Sequence, residues 1–461
     1  MISPTAADTI AAISTPLGEA GIGIVRLSGP AAETIARALF RPRHPRSHFL
    51  SHHFYLGHLV ASPEEIIDEV LLTIMRGPRT YTREDVVEIH CHSGLGVLRR
   101  ILELTLARGA RLARPGEFTM RAFLSGRIDL TQAEAVLEVI QARTEAGLRV
   151  AAGHLEGRLG RSLQQTRDAL LDLLARVEAA LDFPEESGEL PAGALAAPLA
   201  GSMETLENLA ATYQEGRLLR EGLLVVIAGQ PNVGKSSLLN CLLAQDRAIV
   251  TEIPGTTRDL VEEVITLSGV PVRLSDTAGL RPAQDRVEEL GIRRTRERLA
   301  QADLLLYLLD GSLPLTPEAR QDLADLGKRP GLAVINKVDL PLELSLADLG
   351  KATTLPGVKI SALTGAGIDH LKQRIVDLAL KGGLNTTGEM VTQARHHQHL
   401  QNCLGYLAQV RELLVPGEPA PAWELVALEL QEAIRELGEI TGQEVGDDVL
   451  DRIFAEFCLG K

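Results

Sequence analysis

Aromatic side chains are scarce: Phe, Trp and Tyr make up 3% of the 461 residues, with a single tryptophan. The cores must be filled by aliphatic side chains, and a 45% hydrophobic content is ample for that. Cysteine is scarcer still. Cys91, Cys241, Cys403 and Cys458 are scattered with no Cys-x-x-Cys pair, so neither a zinc site nor a disulfide framework is expected. No apolar run is long enough to span a bilayer, and the first 25 residues hold no Lys or Arg, against the pattern of signal and transit peptides. The expectation is a soluble, cytoplasmic chain in a reducing compartment, without membrane association. Its length suggests roughly two to four domains.

Basic charge is also short, with 47 Lys/Arg against 61 Asp/Glu and a net charge of −14. Residues 1–120 are balanced, at 13 basic against 12 acidic, so the acidic excess lies in the rest. A protein so charged does not grip nucleic acid everywhere. Any RNA contact is expected to be local, through Arg41-Pro42-Arg43-His44-Pro45-Arg46 or the arginines of Arg293–Arg298, though both also read as solvated faces.

What the chain does carry is a dispersed set of nucleotide motifs. Gly229-Gln230-Pro231-Asn232-Val233-Gly234-Lys235-Ser236 is a P-loop pattern. Its glycines let backbone wrap phosphates, Lys235 reaches the β/γ-phosphates, and the Ser236 hydroxyl ligates Mg²⁺. The apolar run 223–228 before it reads as a strand. The run from Ser236 and Ser237 to Leu243 has helical spacing, which supplies the strand–loop–helix the motif needs. A hundred residues on, Asn336-Lys337-Val338-Asp339 ends in a carboxylate suited to the two N–H groups on guanine's edge. Adenine offers no such pair, so the implied ligand is GTP. Ser361-Ala362-Leu363 would back the base.

Between these lie the loop Thr251-Glu252-Ile253-Pro254-Gly255-Thr256-Thr257 and the run Asp276-Thr277-Ala278-Gly279. Thr257 can complete the Mg²⁺ shell and contact the γ-phosphate, Asp276 can hold the metal through water, and the Gly279 amide can sense the γ-phosphate. Leu280 stands where Ras-type switches place a water-orienting glutamine. Another group must position the water, and Glu288 is one candidate, although it also reads as a solvated helix residue. Another charge must replace an arginine finger. Asn232 with carbonyls of the 251–255 loop can hold a K⁺ there.

The expected fold is multidomain α/β. Residues 1–120 mix short apolar runs with helices, as an α+β domain does. A capping box at Thr131-Gln132-Ala133-Glu134 opens a helix whose 3.6 period runs to about Leu181. Further helices are expected from about Leu195 to Arg220, Val391 to Leu414, Trp423 to Leu437 and Asp447 to Phe457. The simplest organisation is an all-helical domain of residues 121–216 and 382–461. Inserted in it is a Ras-like P-loop domain, 217–381, with a mostly parallel sheet and helices on both faces.

At full length the chain resembles the MnmE (TrmE) tRNA-modification GTPases. The resemblance runs through Gly23-Ile24-Val25-Arg26-Leu27-Ser28-Gly29, Tyr81-Thr82-Arg83-Glu84-Asp85, Ala113-Arg114-Pro115-Gly116-Glu117-Phe118 and Asp182-Phe183-Pro184-Glu185. It ends at the terminal Phe457-Cys458-Leu459-Gly460-Lys461. It implies a homodimer through an N-terminal domain that binds 5,10-methylene- or 5-formyl-tetrahydrofolate, with contacts matching Arg26, Glu88, Arg127 and Lys461. It implies an FAD-dependent partner of the MnmG/GidA family, in a heterotetramer or larger assembly. It also implies addition of an aminomethyl-type group to C5 of the tRNA wobble uridine, gated by K⁺-dependent hydrolysis. By motif match the K⁺ ligands fall on Asn232, Thr251, Ile253 and Thr256, and Glu288 becomes the catalytic, water-orienting carboxylate. Cys458 is a candidate for thiolate addition to the uracil ring; its alternative is an inert thiol buried beside Phe454 and Phe457. Two other readings fit the motifs alone: a ribosome-assembly GTPase, and a scaffold that reports nucleotide state to a partner.

Overall fold

The computed structural model describes residues 8–183, 190–246, 263–276, 301–326, 329–380, 389–414 and 422–461. By internal contacts the chain divides into two units. One is Met1–Ile140, Ala152–Glu207 and Gln398–Lys461, and the other is Gln141–Ala151 and Asn208–His397. Among the described residues, no helix is long and apolar enough to cross a membrane.

The first unit holds a seven-stranded sheet. Its strands are β1 (Ile10–Ile13), β2 (Gly23–Ser28), β3 (Phe40–Pro42), β4 (His53–Val60), β5 (Ile66–Met75), β6 (Val86–Cys91) and β7 (Arg111–Leu112). Their order is β3-β4-β5-β6-β2-β1-β7, and only the β1–β7 pairing is parallel. Side chains alternate across a strand. Val25 and Leu27 of β2 therefore bury against helices Ala32–Leu39 and Leu95–Leu106, in a core shared with Ile35, Leu98 and Ile101. Arg26 faces the other way, directly opposite Glu88 of β6. At one end that second face is closed by Phe118 of helix Glu117–Leu124, packed with Ile10 and Ala12.

Helices make up the rest of this unit. Arg158–Asp182 and Trp423–Thr441 run antiparallel, for Gln431 bonds Glu178 and Gln443 bonds Gln164, at 3.2 and 2.7 Å. Leu130, Ala133 and Leu137 of helix Leu130–Gln141 pack with Leu450, Phe454 and Phe457. Each such buried leucine or phenylalanine contributes ~1.5–3 kcal/mol.

Three expectations are corrected here. The predicted long helix to Leu181 is three helices: Leu130–Gln141, Glu145–Leu155 and Arg158–Asp182. Thr144 caps the second, its hydroxyl accepting from Gly147 N at 3.1 Å, and Gly157 opens the third in the left-handed region at φ +76°. Apolar period survives such breaks; backbone continuity does not. The capping box is also two residues earlier. Asp129 Oδ1 accepts from Gln132 N at 2.9 Å while Gln132 Oε1 accepts from Asp129 N at 3.1 Å, and Thr131 only donates to Asp129. An ionised carboxylate outcompetes a hydroxyl for the amides of a first turn. The expected helix from Leu195 to Arg220 is likewise two, Gly193–Ala211 and Tyr213–Glu221.

The second unit is built on a six-stranded sheet. It comprises β8 (Leu223–Gly229), β9 (Glu263–Leu267), β10 (Val270–Asp276), β11 (Leu304–Asp310), β12 (Gly331–Asn336) and β13 (Gly357–Lys359), in the order β13-β12-β11-β8-β10-β9. All neighbours are parallel except β9–β10. In β11, Leu304, Leu306 and Leu308 enter one core with Leu238 and Leu371, from helices Lys235–Asp246 and Ile368–Ala379. Leu305, Tyr307 and Leu309 enter the other, with Leu323 of helix Pro317–Leu326 and Leu349 of helix Leu346–Ala352. Burial on both faces explains the unbroken apolar runs of these strands. The carboxyl ends of β8, β11 and β12 then gather the loops at one edge, where open α/β sheets bind ligands.

Candidate functional site

Strand β8 delivers the P-loop. Gly229 turns out of the strand at φ +143°, where a Cβ would strike the Leu308 carbonyl, and Asn232 takes φ +64°. Gly234 has φ +98°, and a Cβ there would run into the Asn336 amide. Helix Lys235–Asp246 follows at once, with Ser236 and Ser237 exposed in its first turn. A glycine-turned loop thus runs straight into a helix N-terminus, the usual arrangement for a phosphate chain. Lys235 Nζ bonds the Gly229 and Gln230 carbonyls, both at 2.8 Å, so the cation lies across its own loop.

Three motifs separated in sequence are joined by one buried amide. Asn336, 2% exposed, donates from Nδ2 to the Val233 carbonyl at 2.8 Å and accepts at Oδ1 from Ala362 N at 2.9 Å. The fully buried Ser361 donates its hydroxyl to Asp339 Oδ1 and accepts from Thr364 N at 3.1 Å. Asp339 is therefore aimed, not free to rotate. Leu363 lies 85% exposed. Lys337, at φ +65°, sends its ammonium to Asp310 Oδ2 at 2.6 Å. Asp310 escaped the sequence reading, although a carboxylate at the end of an apolar strand was its visible sign.

The P-loop, the Asn336–Asp339 run and the Ser361–Ala362 run thus meet through Asn336 and Ser361. Asp276 ends β10 beside Ile227 of β8. Its side chain, the whole 251–257 loop, Thr277, Ala278, Gly279 and Glu288 lie outside the described residues, as does the Arg293–Arg298 run.

A second site lies in the first unit. Arg26, Arg127 and Lys461 line a cleft of about 440 Å³ with Tyr81, Gln132 and the apolar Ile128, Val136 and Leu155. Sequence reasoning found the three cations and missed the walls, which come from separate segments. The Arg127 guanidinium lies 4.8 Å from the Tyr81 ring centroid and that of Arg26 lies 5.9 Å from it. Arg26 Nη1 reaches the Gly460 carbonyl at 3.4 Å, and the Lys461 carbonyl accepts from Phe118 N at 3.1 Å, which seats the 460–461 segment at the cleft. Burial and the Arg26 charge together push the Lys461 ammonium below its ordinary value, more than Cys458 and Glu88 oppose this.

Glu88 does not line the cleft. Its Oε1 accepts from Arg26 Nε and Nη2 at 3.0 and 2.8 Å, and its Oε2 is 3.0 Å from His90 Nε2. Burial raises its carboxyl, but Arg26 and His90 outweigh burial and hold it below the usual range. Cys458 is exposed, which excludes the buried-thiol alternative; the Phe454 and Phe457 rings pack at a tilt, their centroids 5.5 Å apart.

Comparison with known proteins covers nearly the whole chain. The family described as "MnmE helical domain" matches residues 130–458, and "GTP-binding protein TrmE N-terminus" matches 9–127. Over 458 residues the chain is 48% identical to "tRNA modification GTPase MnmE" of Geobacter sulfurreducens, covering 98% of this chain and 99% of that protein. The proteins of the same name from Geobacter metallireducens and Chloroflexus aurantiacus are 46% and 48% identical. Each alignment covers 98% of this chain and 99% and 100% of the relatives, respectively. With motifs, assembled geometry and full-length similarity in accord, the chain belongs to the MnmE (TrmE) family of tRNA modification GTPases.

Proposed function

We propose that this protein is a K⁺-activated GTPase that acts with an FAD-dependent partner of the MnmG/GidA family. Together they add an aminomethyl or carboxymethylaminomethyl group to C5 of the tRNA wobble uridine. The observation that carries the proposal is the first unit's cleft, where three cations, an aromatic ring and apolar walls surround about 440 Å³. That is the size and character of a pocket for one drug-sized ligand. The donor set suits a flat heterocycle with an anionic tail, so the residues fit a tetrahydrofolate.

When bound, 5,10-methylene- or 5-formyl-tetrahydrofolate would supply the one-carbon unit. Arg127 and Lys461 would take its carboxylates, while Arg26 donates to ring oxygens and Glu88 holds Arg26 in place. Cys458, exposed near Lys461, is proposed to act on the uracil ring. In the second unit, Ser236 and Thr257 would hold Mg²⁺. Asn232, Thr251, Ile253 and Thr256 would hold the K⁺, whose charge substitutes for an arginine finger. Glu288 would orient the attacking water. The assembly proposed is a cytoplasmic homodimer through the N-terminal domain, joined by the partner and by tRNA.

Three measurements test this. Deleting the gene and analysing bulk tRNA by mass spectrometry should abolish the C5-substituted wobble uridines. Unchanged tRNA would refute the proposal, and disturbed ribosome profiles with normal tRNA would favour the ribosome-assembly reading. Arg127→Ala should weaken tetrahydrofolate binding by about tenfold, the loss of one charged contact, with GTP turnover unaltered; equal affinity by calorimetry would move the ligand elsewhere. Asn232→Ala should remove the stimulation of turnover by K⁺ over Na⁺, and retained stimulation would place the cation on other ligands.

A further inference from the structure

The second unit holds a carboxylate that neither the P-loop nor the base-reading run contains. Asp310 closes β11 and is the direct cross-strand partner of Asn336, first residue of that run. One of its oxygens takes Ser312 N at 3.0 Å and Ser312 Oγ at 2.7 Å, and the other takes Lys337 Nζ at 2.6 Å. Gly311 N donates to the Asn336 carbonyl at 2.8 Å, so the turn carrying Asp310 is stitched to the run it serves. Asp310 is 12% exposed at its side chain and Lys337 is 32% exposed. This pair is built into the site edge and is not a chance surface contact.

Lys337 is two residues from Asp339, and a four-carbon stem can span that distance. An ammonium resting on Asp339 would compete with guanine's N–H groups for the same oxygens. Ser361 already occupies Oδ1 of Asp339, so little acceptor capacity is left to lose. We infer that Asp310 is a positioning residue for base recognition: it draws the Lys337 ammonium away from Asp339, leaving that carboxylate to the guanine edge. Burial raises the Asp310 carboxyl, but Lys337 and Ser312 prevail and keep it ionised, as the role requires. The inference rests on the guanine-nucleotide reading of this site and assigns it a further specificity-determining residue.

Inosine triphosphate lacks guanine's 2-amino group and so makes one bond fewer to Asp339. In the full-length protein, Asp310→Asn keeps the shape and removes the charge. It should weaken GTP by about tenfold and inosine triphosphate less, narrowing the preference between them severalfold. In a Lys337→Met background the same substitution should change nothing further, because its effect passes through that ammonium. Equal losses for both nucleotides, or an undiminished loss in the Lys337→Met background, would overturn the inference and leave Asp310 a merely structural residue. If Asp310→Asn does not fold, Ser312→Ala loosens the same carboxylate and should narrow the preference in the same direction; an unchanged preference then overturns it equally. Wild-type protein that binds ATP as well as GTP would instead reject the guanine reading itself.

Discussion

Replacing Asp339 by asparagine should cut GTP affinity by about a hundredfold to a thousandfold and raise affinity for xanthosine triphosphate. The direction follows from Ser361. Its hydroxyl accepts from Thr364 N and so has its proton to give to position 339, where it meets Asp339 Oδ1. In Asp339→Asn that hydroxyl selects the amide oxygen, and the NH₂ group is turned toward the base. Guanine's amino group then meets a donor where it had an acceptor. Each bond to a charged acceptor is worth ~1.5–3 kcal/mol, and tenfold in affinity is ~1.4 kcal/mol, which sets the range. Xanthine carries a carbonyl where guanine has its amino group, so it accepts from the new donor. Titration with both nucleotides reads the result directly. An unchanged ratio of the two affinities would show that Asp339 does not read the base. Ser361→Ala should blunt the switch, since the amide could then flip.

Much of this site was legible because its motifs impose backbone geometry that few residues satisfy. Gly229 and Gly234 occupy conformations and clearances closed to other side chains, and the surrounding apolar runs have strand and helix lengths. Strand β8 was legible from the run 223–228, apolar at every position. Less was visible where several residue types serve equally. The helix start at Asp129 and the box predicted at Thr131 both match the same spaced pattern, and only the hydrogen bonds separate them. The helix breaks at Thr144 and Gly157 hide because the apolar stripe resumes on the far side of each. Tyr81, Ile128 and Gln132 could not be linked to Arg26 and Lys461 in advance, since their meeting depends on how strands and helices far apart in sequence pack. Cys458 illustrates the converse: its apolar neighbours suggested burial, yet Phe457 turns inward and the thiol stays at the surface.

The largest effect on stability should come from Glu117, a residue in neither site. It is 4% exposed, and its two oxygens accept four bonds: Arg111 Nη1 at 3.1 Å, Arg111 Nη2 at 2.6 Å, Arg121 Nη2 at 3.1 Å and Arg114 N at 2.8 Å. Asp8 and Glu84 complete the network around Arg121. Removing one member of a buried pair strands the other's charge and costs ~3–5 kcal/mol. Glu117→Ala should fall near the lower figure, because Arg111 is 42% exposed and keeps Asp8. For a unit of this size that means a midpoint lowered by ~6–12 °C. The same carboxylate gives a pH signature. Burial raises it, but the two arginines and the Arg114 amide prevail, so its folded value lies below the ordinary 4.5. A group lowered on folding contributes stability that is whole above its unfolded value and lost as pH falls through the folded one. The first unit should therefore weaken on acidification below about pH 4.5, helped by Asp8, Glu33 and Glu88, which are lowered likewise. Trp423, the only tryptophan, belongs to this unit and reports its unfolding. Followed by that fluorescence, Glu117→Ala should show a shallower acid dependence than wild type. Two parallel curves, displaced or not, would mean that the Glu117 charge carries none of the stability assigned to it.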